Sequence, residues 1–246
     1  TIHDLIMQLF PTGAQQNSIL RRAAYRLTMS DCRRAKKIIV PSLATRDDLV
    51  KMLKFPLDKI VITPEGSEAT FRVHSERERI AVKERLGLPK KYLLFVSRWE
   101  IYKGLTALLA AYENLSQEYP ELGLVICGQP NKQNPGLNEL VRQKQANNPS
   151  IVTPGFVSDE DLAAIYSAAA VYVHPSWYEG FGIMILEAFA SGVPVVTSNI
   201  SSLPEVVGDA GLLVDPKNST ELAETIERVL NDEQLQAELI AKGLER

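Results

Sequence analysis

Cysteine is scarce in this chain: Cys32 and Cys127 stand far apart, and neither belongs to a Cys-x-x-Cys pair. That excludes a disulfide framework and a thiolate zinc site, and a reduced cytoplasmic protein is the simplest account. Long apolar runs are lacking too. No stretch approaches the length that crosses a bilayer, and no signal-peptide pattern opens the sequence. Nor is there an excess of positive charge. With 27 Lys and Arg against 30 Asp and Glu, the formal net charge is −3, which gives no support to nucleic acid as a partner. Internal repeats and low-complexity segments are absent. What is present is an ordinary globular composition, 45% hydrophobic over 246 residues, enough for one large or two modest domains with sizeable cores.

The most informative stretch is 171–196, VYVHPSWYEGFGIMILEAFASGVPVV. Residues 171–173 are apolar and short enough for a buried strand. A turn with Pro175, Ser176, Gly180 and Gly182 follows, and then a helical run closes on Gly192 and Pro194. The next strand is 193–197, so the stretch reads as one parallel βαβ unit. Glu179 flanks the turn and Glu187 falls in the second turn of the helix. The backbone amides of Phe181, Gly182 and Ile183 belong to the helix N-terminus, where unpaired N–H groups and the dipole favour an anion. Gly180 and Gly182 let a ligand approach the backbone closely. A phosphate-accepting floor beside two carboxylates suits a sugar nucleotide. The plainer alternative is a helix with a Gly-Phe-Gly entry and two solvated acids.

Elsewhere strands and helices alternate, which implies a parallel sheet with helices on its faces. Both ends read as cut: TIHDLIMQLF reads as a strand's end running into a loop, and ELIAKGLER stops inside a helical pattern. Residues 18–37 read as a helix carrying Arg21, Arg22, Arg26, Arg33, Arg34, Lys36 and Lys37. Peripheral contact with anionic headgroups is one reading of that charge, but the apolar stripe is thin and a solvated face fits better. Ser42 caps a helix to about residue 53, and 59–63 returns as a strand. Residues 64–75 read as a hinge, and a helix at 76–86 ends at Gly87 before Pro89. The strand at 92–97 leads to Arg98, and Lys103 with Gly104 starts a helix. A strand's carboxyl end and a helix's amino end are the two places a phosphate prefers. Arg can grip phosphate oxygens bidentately while Lys adds a point charge. Gly128 ends the strand at 122–127, again on the ligand edge. His3 and Asp4 stand at the end of the presumed first strand. NKQNPGLN reads as loop, 139–146 as helix, 159–170 as helix after Ser158, and 201–207, 220–230 and 232–244 as further helices.

Glu179-Gly180-Phe181-Gly182, followed by residues 183–187, resembles the Glu-x7-Glu signature of retaining glycosyltransferases of family 4, which have the GT-B fold. The likeness continues through ASGVPVVTSNISSLPEVVGDAGLLVDP, and SRWEIYKG and PEGSEATF fit the same pattern, with Glu65 where Asn is common. The resemblance implies a partial N-terminal Rossmann-like unit and hinge at 1–72 and a C-terminal nucleotide-sugar-binding unit at 73–246. By the same resemblance, Glu187 binds ribose hydroxyls and Glu179 the hydroxyls of the transferred sugar. The amides near Phe181, Gly182 and Ile183 hold sugar and phosphates, and Arg98 and Lys103 the diphosphate. Phe156 and Val157 frame the base, with Gly128 on the same edge, and His3 faces the donor sugar across the cleft. Glu205 reads as structural. Asp159-Glu160-Asp161 matches an Asp-x-Asp metal motif of another class, but acids in a helix's first turn are ordinary stabilisers, and no metal or cofactor is expected.

The implied reaction is retaining transfer of a hexose from a nucleoside diphosphate sugar to a glycan or lipid-linked acceptor. GDP-mannose is the favoured donor and a UDP-hexose the alternative. A dinucleotide oxidoreductase fails twice: Ile185 stands where the fingerprint needs a third Gly or Ala, and Thr197-Ser198-Asn199 replace the acid ending the next strand. A sugar-nucleotide epimerase on the same fold and a non-catalytic nucleotide-binding fragment remain as alternatives.

Overall fold

The structure is a computed structural model describing residues 1–10 and 19–246. Its first elements are α1 (Ile6–Leu9), α2 (Ile19–Cys32), β1 (Ile38–Val40), α3 (Leu43–Leu53) and β2 (Ile60–Ile62). β1 and β2 pair in parallel over a small core of Ile2, Leu5, Ile38, Val40, Leu49 and Phe55. Ser42 caps α3 by accepting from the Thr45 amide, satisfying one of the donors a helix start leaves unpaired.

A connecting segment leads to α4 (Glu76–Leu86). Its start is a reciprocal capping box between Ser75 and Glu78, and its end is Gly87 at φ 62°. Strands and helices then alternate: β3 (Lys91–Val96), α5 (Leu105–Glu118), β4 (Leu122–Cys127), α6 (Pro135–Asn147), β5 (Ile151–Val152), α7 (Asp159–Ser167), β6 (Val171–His174), α8 (Ile183–Ala190), β7 (Val195–Ser198), α9 (Leu203–Val207), β8 (Gly211–Val214), α10 (Ser219–Asn231) and α11 (Glu233–Glu245). The six strands lie in the order β5-β4-β3-β6-β7-β8, and every pairing is parallel.

Period-two alternation divides the core between the sheet's faces. Leu93, Phe95, Leu124, Ile126, Val171 and Val173 join residues of α5 and α10 on one side. Tyr92, Leu94, Val125, Cys127 and Tyr172 join those of α7, α8 and α9 on the other. Because both faces are covered, the strands read as near-continuous apolar runs. In α10, Leu222, Ala223, Ile226, Val229 and Leu230 form the buried stripe that helical periodicity requires.

The strand order reverses between β3 and β6, and there the loops after the two strands diverge. Open α/β sheets place ligands in that crevice.

Several boundaries differ from the sequence reading. Residues 1–5 are not a strand; they run beside β1, with the Ile2 amide donating to Ile39 O at 2.9 Å, and then turn into α1. The basic helix stops at Cys32, while Ser18 and the Arg21 side chain lie outside the described residues. Its charge is also dispersed: Arg33 stacks on Phe55 at 4.7 Å, and Lys37 donates to Asp58 O at 2.8 Å. α6 begins inside the expected loop, because Pro135 at its start needs no amide partner. α7 ends at Ser167, since the Ala170 amide already bonds Tyr92 O at 2.9 Å in the sheet. Among the described residues no helix is long and apolar enough to cross a membrane.

Candidate active site

The crevice between β3 and β6 opens into a cavity of about 590 Å³. Its wall includes ten residues singled out in the sequence: His3, Arg98, Lys103, Gly128, Glu179, Gly180, Phe181, Gly182, Ile183 and Glu187. They come from five loops and helices as far apart in the chain as residues 3 and 187. Phe156 and Val157 lie outside the wall. Phe156 is 83% exposed, in the loop after β5 where Gly155 turns the backbone at φ 78°.

The chain after β3 places the cations. Ser97 N–H reaches back to Cys127 O, and a short 3₁₀ turn at Ile101–Lys103 ends on Gly104 at φ 75°. Lys103 thus stands before α5 rather than in it. A side chain at position 104 would meet Pro175 O at 1.9 Å, so only glycine lets this turn pack against the loop after β6. Arg98 is exposed, while Lys103 is only 8% exposed.

The loop after β6 supplies the acids. Glu179 is 5% exposed and accepts from Lys103 Nζ at 2.6 and 2.8 Å and from His174 Nε2 at 2.8 Å. His174 belongs to β6 and is wholly buried. Burial alone would raise the Glu179 pKa, but the Lys103 charge and the His174 hydrogen bond outweigh it and draw the carboxyl down to about 2. Glu187 behaves oppositely. Burial pushes its carboxyl up, and the charges of Asp159 and Glu68 add to that push against one hydrogen bond from the Tyr166 hydroxyl at 2.9 Å.

Between the two acids the backbone is tied down by hydroxyls. Glu179 O accepts from Ser201 and Ser202, Gly180 O from Ser42 and Thr45, and Phe181 O from Ser202. The carbonyls are thereby satisfied. The amides of Phe181, Gly182 and Ile183 have no hydrogen-bond acceptor among the described residues, and they open α8, with Gly182 as N-cap at φ 104°. Such a terminus suits an anion. Gly180 serves a different purpose from the one expected: a side chain there would strike His3 O at 2.0 Å, so its bareness admits the chain's own N-terminal segment.

His3 bonds Glu65 through Nδ1 at 2.9 Å, with its side chain 68% exposed. The unusual acid at position 65 is therefore this histidine's partner. Glu205 also gains a function: its carboxylate accepts the Leu43 and Ala44 amides at 2.9 and 3.0 Å, capping α3 from across the cleft. Asp161 pairs with Arg85 of α4 at 2.9 Å, and Ser158 caps α7. The acids at 159–161 thus begin with ordinary helix-start duties.

Sequence reasoning missed His174, Tyr172 and Tyr166, which lie behind the glutamates. Their only signal was an apolar-looking strand and helix.

A model of the family described as "Glycosyl transferases group 1" matches residues 76–246. O-antigen chain mannosyltransferase B of Escherichia coli is 37% identical over 215 residues, covering 85% of this chain and 55% of that protein. The serotype-specific mannosyltransferase WbdA of Escherichia coli is 29% identical over 232 residues, covering 91% of this chain and 28% of that one. The chain therefore spans about half, or less, of the curated relatives it matches. Among solved structures, sucrose-phosphate synthase from Thermosynechococcus elongatus superposes with a TM-score of 0.79 at 26% identity, over 98% of this chain and 60% of that one. Anabaena HepE, solved with UDP and glucose, has a TM-score of 0.80 over 91% of this chain and 61% of its own. At 21% identity it speaks for the fold alone. The architecture is that of the GT-B glycosyltransferases, and the chain belongs to the glycosyl transferases group 1 family.

Proposed function

We propose that this chain is the donor-binding part of a retaining hexosyltransferase that moves mannose from GDP-mannose to a glycan or lipid-linked acceptor. Residues 73–246 carry the nucleotide-sugar site in this reading, and 1–72 contribute the acceptor side. The observation that carries it is convergence: cations, unpaired helix-start amides and two acids of opposite proton affinity share one cavity. A nucleoside diphosphate sugar has a group for each of the three. The diphosphate meets Arg98, Lys103 and the amides, the ribose diol meets Glu187, and the sugar hydroxyls meet Glu179. Mannose is favoured by the names of the relatives at 37% and 29% identity.

Catalysis in this scheme rests on positioning and on stabilising charge as the diphosphate departs. Arg98, Lys103 and the amides supply the positive potential. No nucleophilic side chain is invoked, and no metal or cofactor is required by these roles.

Calorimetric titration of the chain with GDP, UDP and ADP tests the reading. We expect GDP to bind tightest, and Glu187→Ala to weaken it about 10- to 100-fold, as loss of a charge-assisted hydrogen bond predicts. Equal binding to the variant would overturn the assignment of Glu187, and a UDP preference would replace the donor.

A further inference from the structure

Glu100 stands between the two cations of the cavity wall, two residues after Arg98 and three before Lys103. Its amide donates to Arg98 O at 2.7 Å, and the Lys103 amide donates to Glu100 O at 3.1 Å, so the three side chains leave one tight loop. A carboxylate so close to an exposed guanidinium would ordinarily join it in the charge-assisted fork that arginine makes with carboxylates. That pair is not made. The Arg98 guanidinium has no hydrogen bond or salt bridge among the described residues. Glu100 instead accepts from Asn131 Nδ2 at 2.6 Å through Oε1 and from Asn134 Nδ2 at 2.8 Å through Oε2. Both carboxylate oxygens are thereby turned toward the loop after β4.

The direction of these amides is fixed by their other contacts. Asn131 Oδ1 accepts the Gln133 amide at 2.9 Å, so its NH₂ group must face Glu100. Asn134 also donates to Trp99 O at 3.1 Å, which commits both hydrogens of its side-chain amide. Asn134 is buried, and it stands at the N-cap of α6, where asparagine ordinarily accepts from an amide of its own helix. Here it makes no such cap. Asn131 is in turn tied down by Asn138, whose Nδ2 donates to Asn131 O at 2.8 Å. The loop after β4 thus forgoes a helix cap and holds a carboxylate from the loop after β3.

We propose that Asn131 and Asn134 are positioning residues that hold the Glu100 carboxylate off Arg98 and so keep that guanidinium open to the diphosphate. The inference rests on the reading of Arg98 as a diphosphate ligand. Lys103 is engaged by Glu179 at 2.6 and 2.8 Å, which leaves Arg98 as the cation of the wall without a partner among the described residues. Released, Glu100 would neutralise Arg98 from two residues away and set an anion beside the incoming phosphates. Two neutral donors restrain the carboxylate without adding a charge of their own.

Calorimetry with GDP and GMP separates this role from plain scaffolding, because only GDP carries the second phosphate. Asn131→Ala with Asn134→Ala is measured in the unmodified background and again with Glu100→Gln, which removes the charge that the amides restrain. In the first background the pair should weaken GDP about 10- to 100-fold and GMP no more than about 3-fold, and with Glu100→Gln both effects should fall within about 3-fold. Equal weakening of GDP in the two backgrounds, or of GDP and GMP alike, overturns the proposal. Should the asparagine pair be needed for folding, Asn131→Ser alone frees one carboxylate oxygen and is carried through the same comparisons with the same expected signs. Failure of GDP to bind the unmodified chain would instead overturn the functional reading. Inorganic pyrophosphate, which needs neither base nor ribose, then judges the asparagines by ³¹P NMR titration: it should bind the unmodified chain more tightly than the asparagine variants. Pyrophosphate that binds them equally, or binds none of them, overturns the positioning role as well.

Discussion

Glu179 and Glu187 are the same residue type, eight positions apart, lining one cavity, yet the protein shifts their carboxyls in opposite directions. Both are taken out of water. Glu179 is met there by an ammonium and an imidazole, and its carboxyl is drawn down to about 2. Glu187 is met by one neutral hydroxyl and two facing acids, and its carboxyl is pushed up. Burial sets the size of the stakes, and the partners decide the direction. A spacing motif in the sequence records neither.

The largest effect should come from breaking the Glu179 pair. From sequence alone, Lys103→Ala and Glu179→Ala are expected to cost far more turnover than stability. Burial changes that expectation. Lys103→Ala leaves a carboxylate in the interior without its counter-ion, which costs about 3–5 kcal/mol of stability, alongside a loss of turnover on the order of 10²–10³. Urea denaturation of Lys103→Ala, Glu179→Gln and the double variant Lys103→Met with Glu179→Gln separates the two. We expect the double variant to recover stability but not turnover. Additive destabilisation would show that the pair does not hold the site together.

Acid titration of stability sharpens the contrast, because the two carboxyls act with opposite sign. Glu179 is lowered from an ordinary 4.5 to about 2 on folding, so it stabilises the protein above about pH 4.5. That contribution, on the order of 3 kcal/mol, disappears as pH falls from about 4.5 toward 2. Glu187 is raised, so it favours folding at pH below its unfolded value and loses that contribution as pH rises through its folded one. Urea midpoints measured from pH 2 to 8 should therefore show a shallower acid limb for Glu179→Gln. Glu187→Gln should instead gain stability near neutrality. Parallel curves for the two variants would mean that the environments do not differ as the geometry requires.

Much of this was legible beforehand. The capping box at Ser75 and Glu78, the Ser42 cap, the Gly87 stop and the continuous strands of a doubly covered sheet are local rules, and local rules are written in neighbouring residues. The cavity wall was legible through the signature and the ligand edge of the sheet. What escaped is non-local. Lys103 meets Glu179 across 76 positions, Tyr166 meets Glu187 across 21, and Glu205 caps α3 across about 160. Tyr172 and His174 sit in a strand whose burial pattern announces only core. Composition cannot distinguish a tyrosine that fills space from one that passes a hydrogen bond.

The smallest effect asks what keeps the two environments apart. The turn carrying Glu179 is gripped from the far side of the cleft, where Ser42 and Thr45 donate to Gly180 O at 2.5 and 2.9 Å. Glu187 lies in α8 and touches none of this. Ser42→Ala removes one of those two bonds together with the α3 cap, leaving the Thr45 bond, at a cost of about 1 kcal/mol. Loosening the grip should shift the Glu179 carboxyl signal in ¹³C NMR and leave that of Glu187 in place. Glu205→Gln, which weakens the same cap without touching Gly180 O, should move neither. If Ser42→Ala displaced both signals equally, the two carboxyls would answer to one constraint. The contrast between them would then belong to the cavity as a whole rather than to the partners each glutamate has.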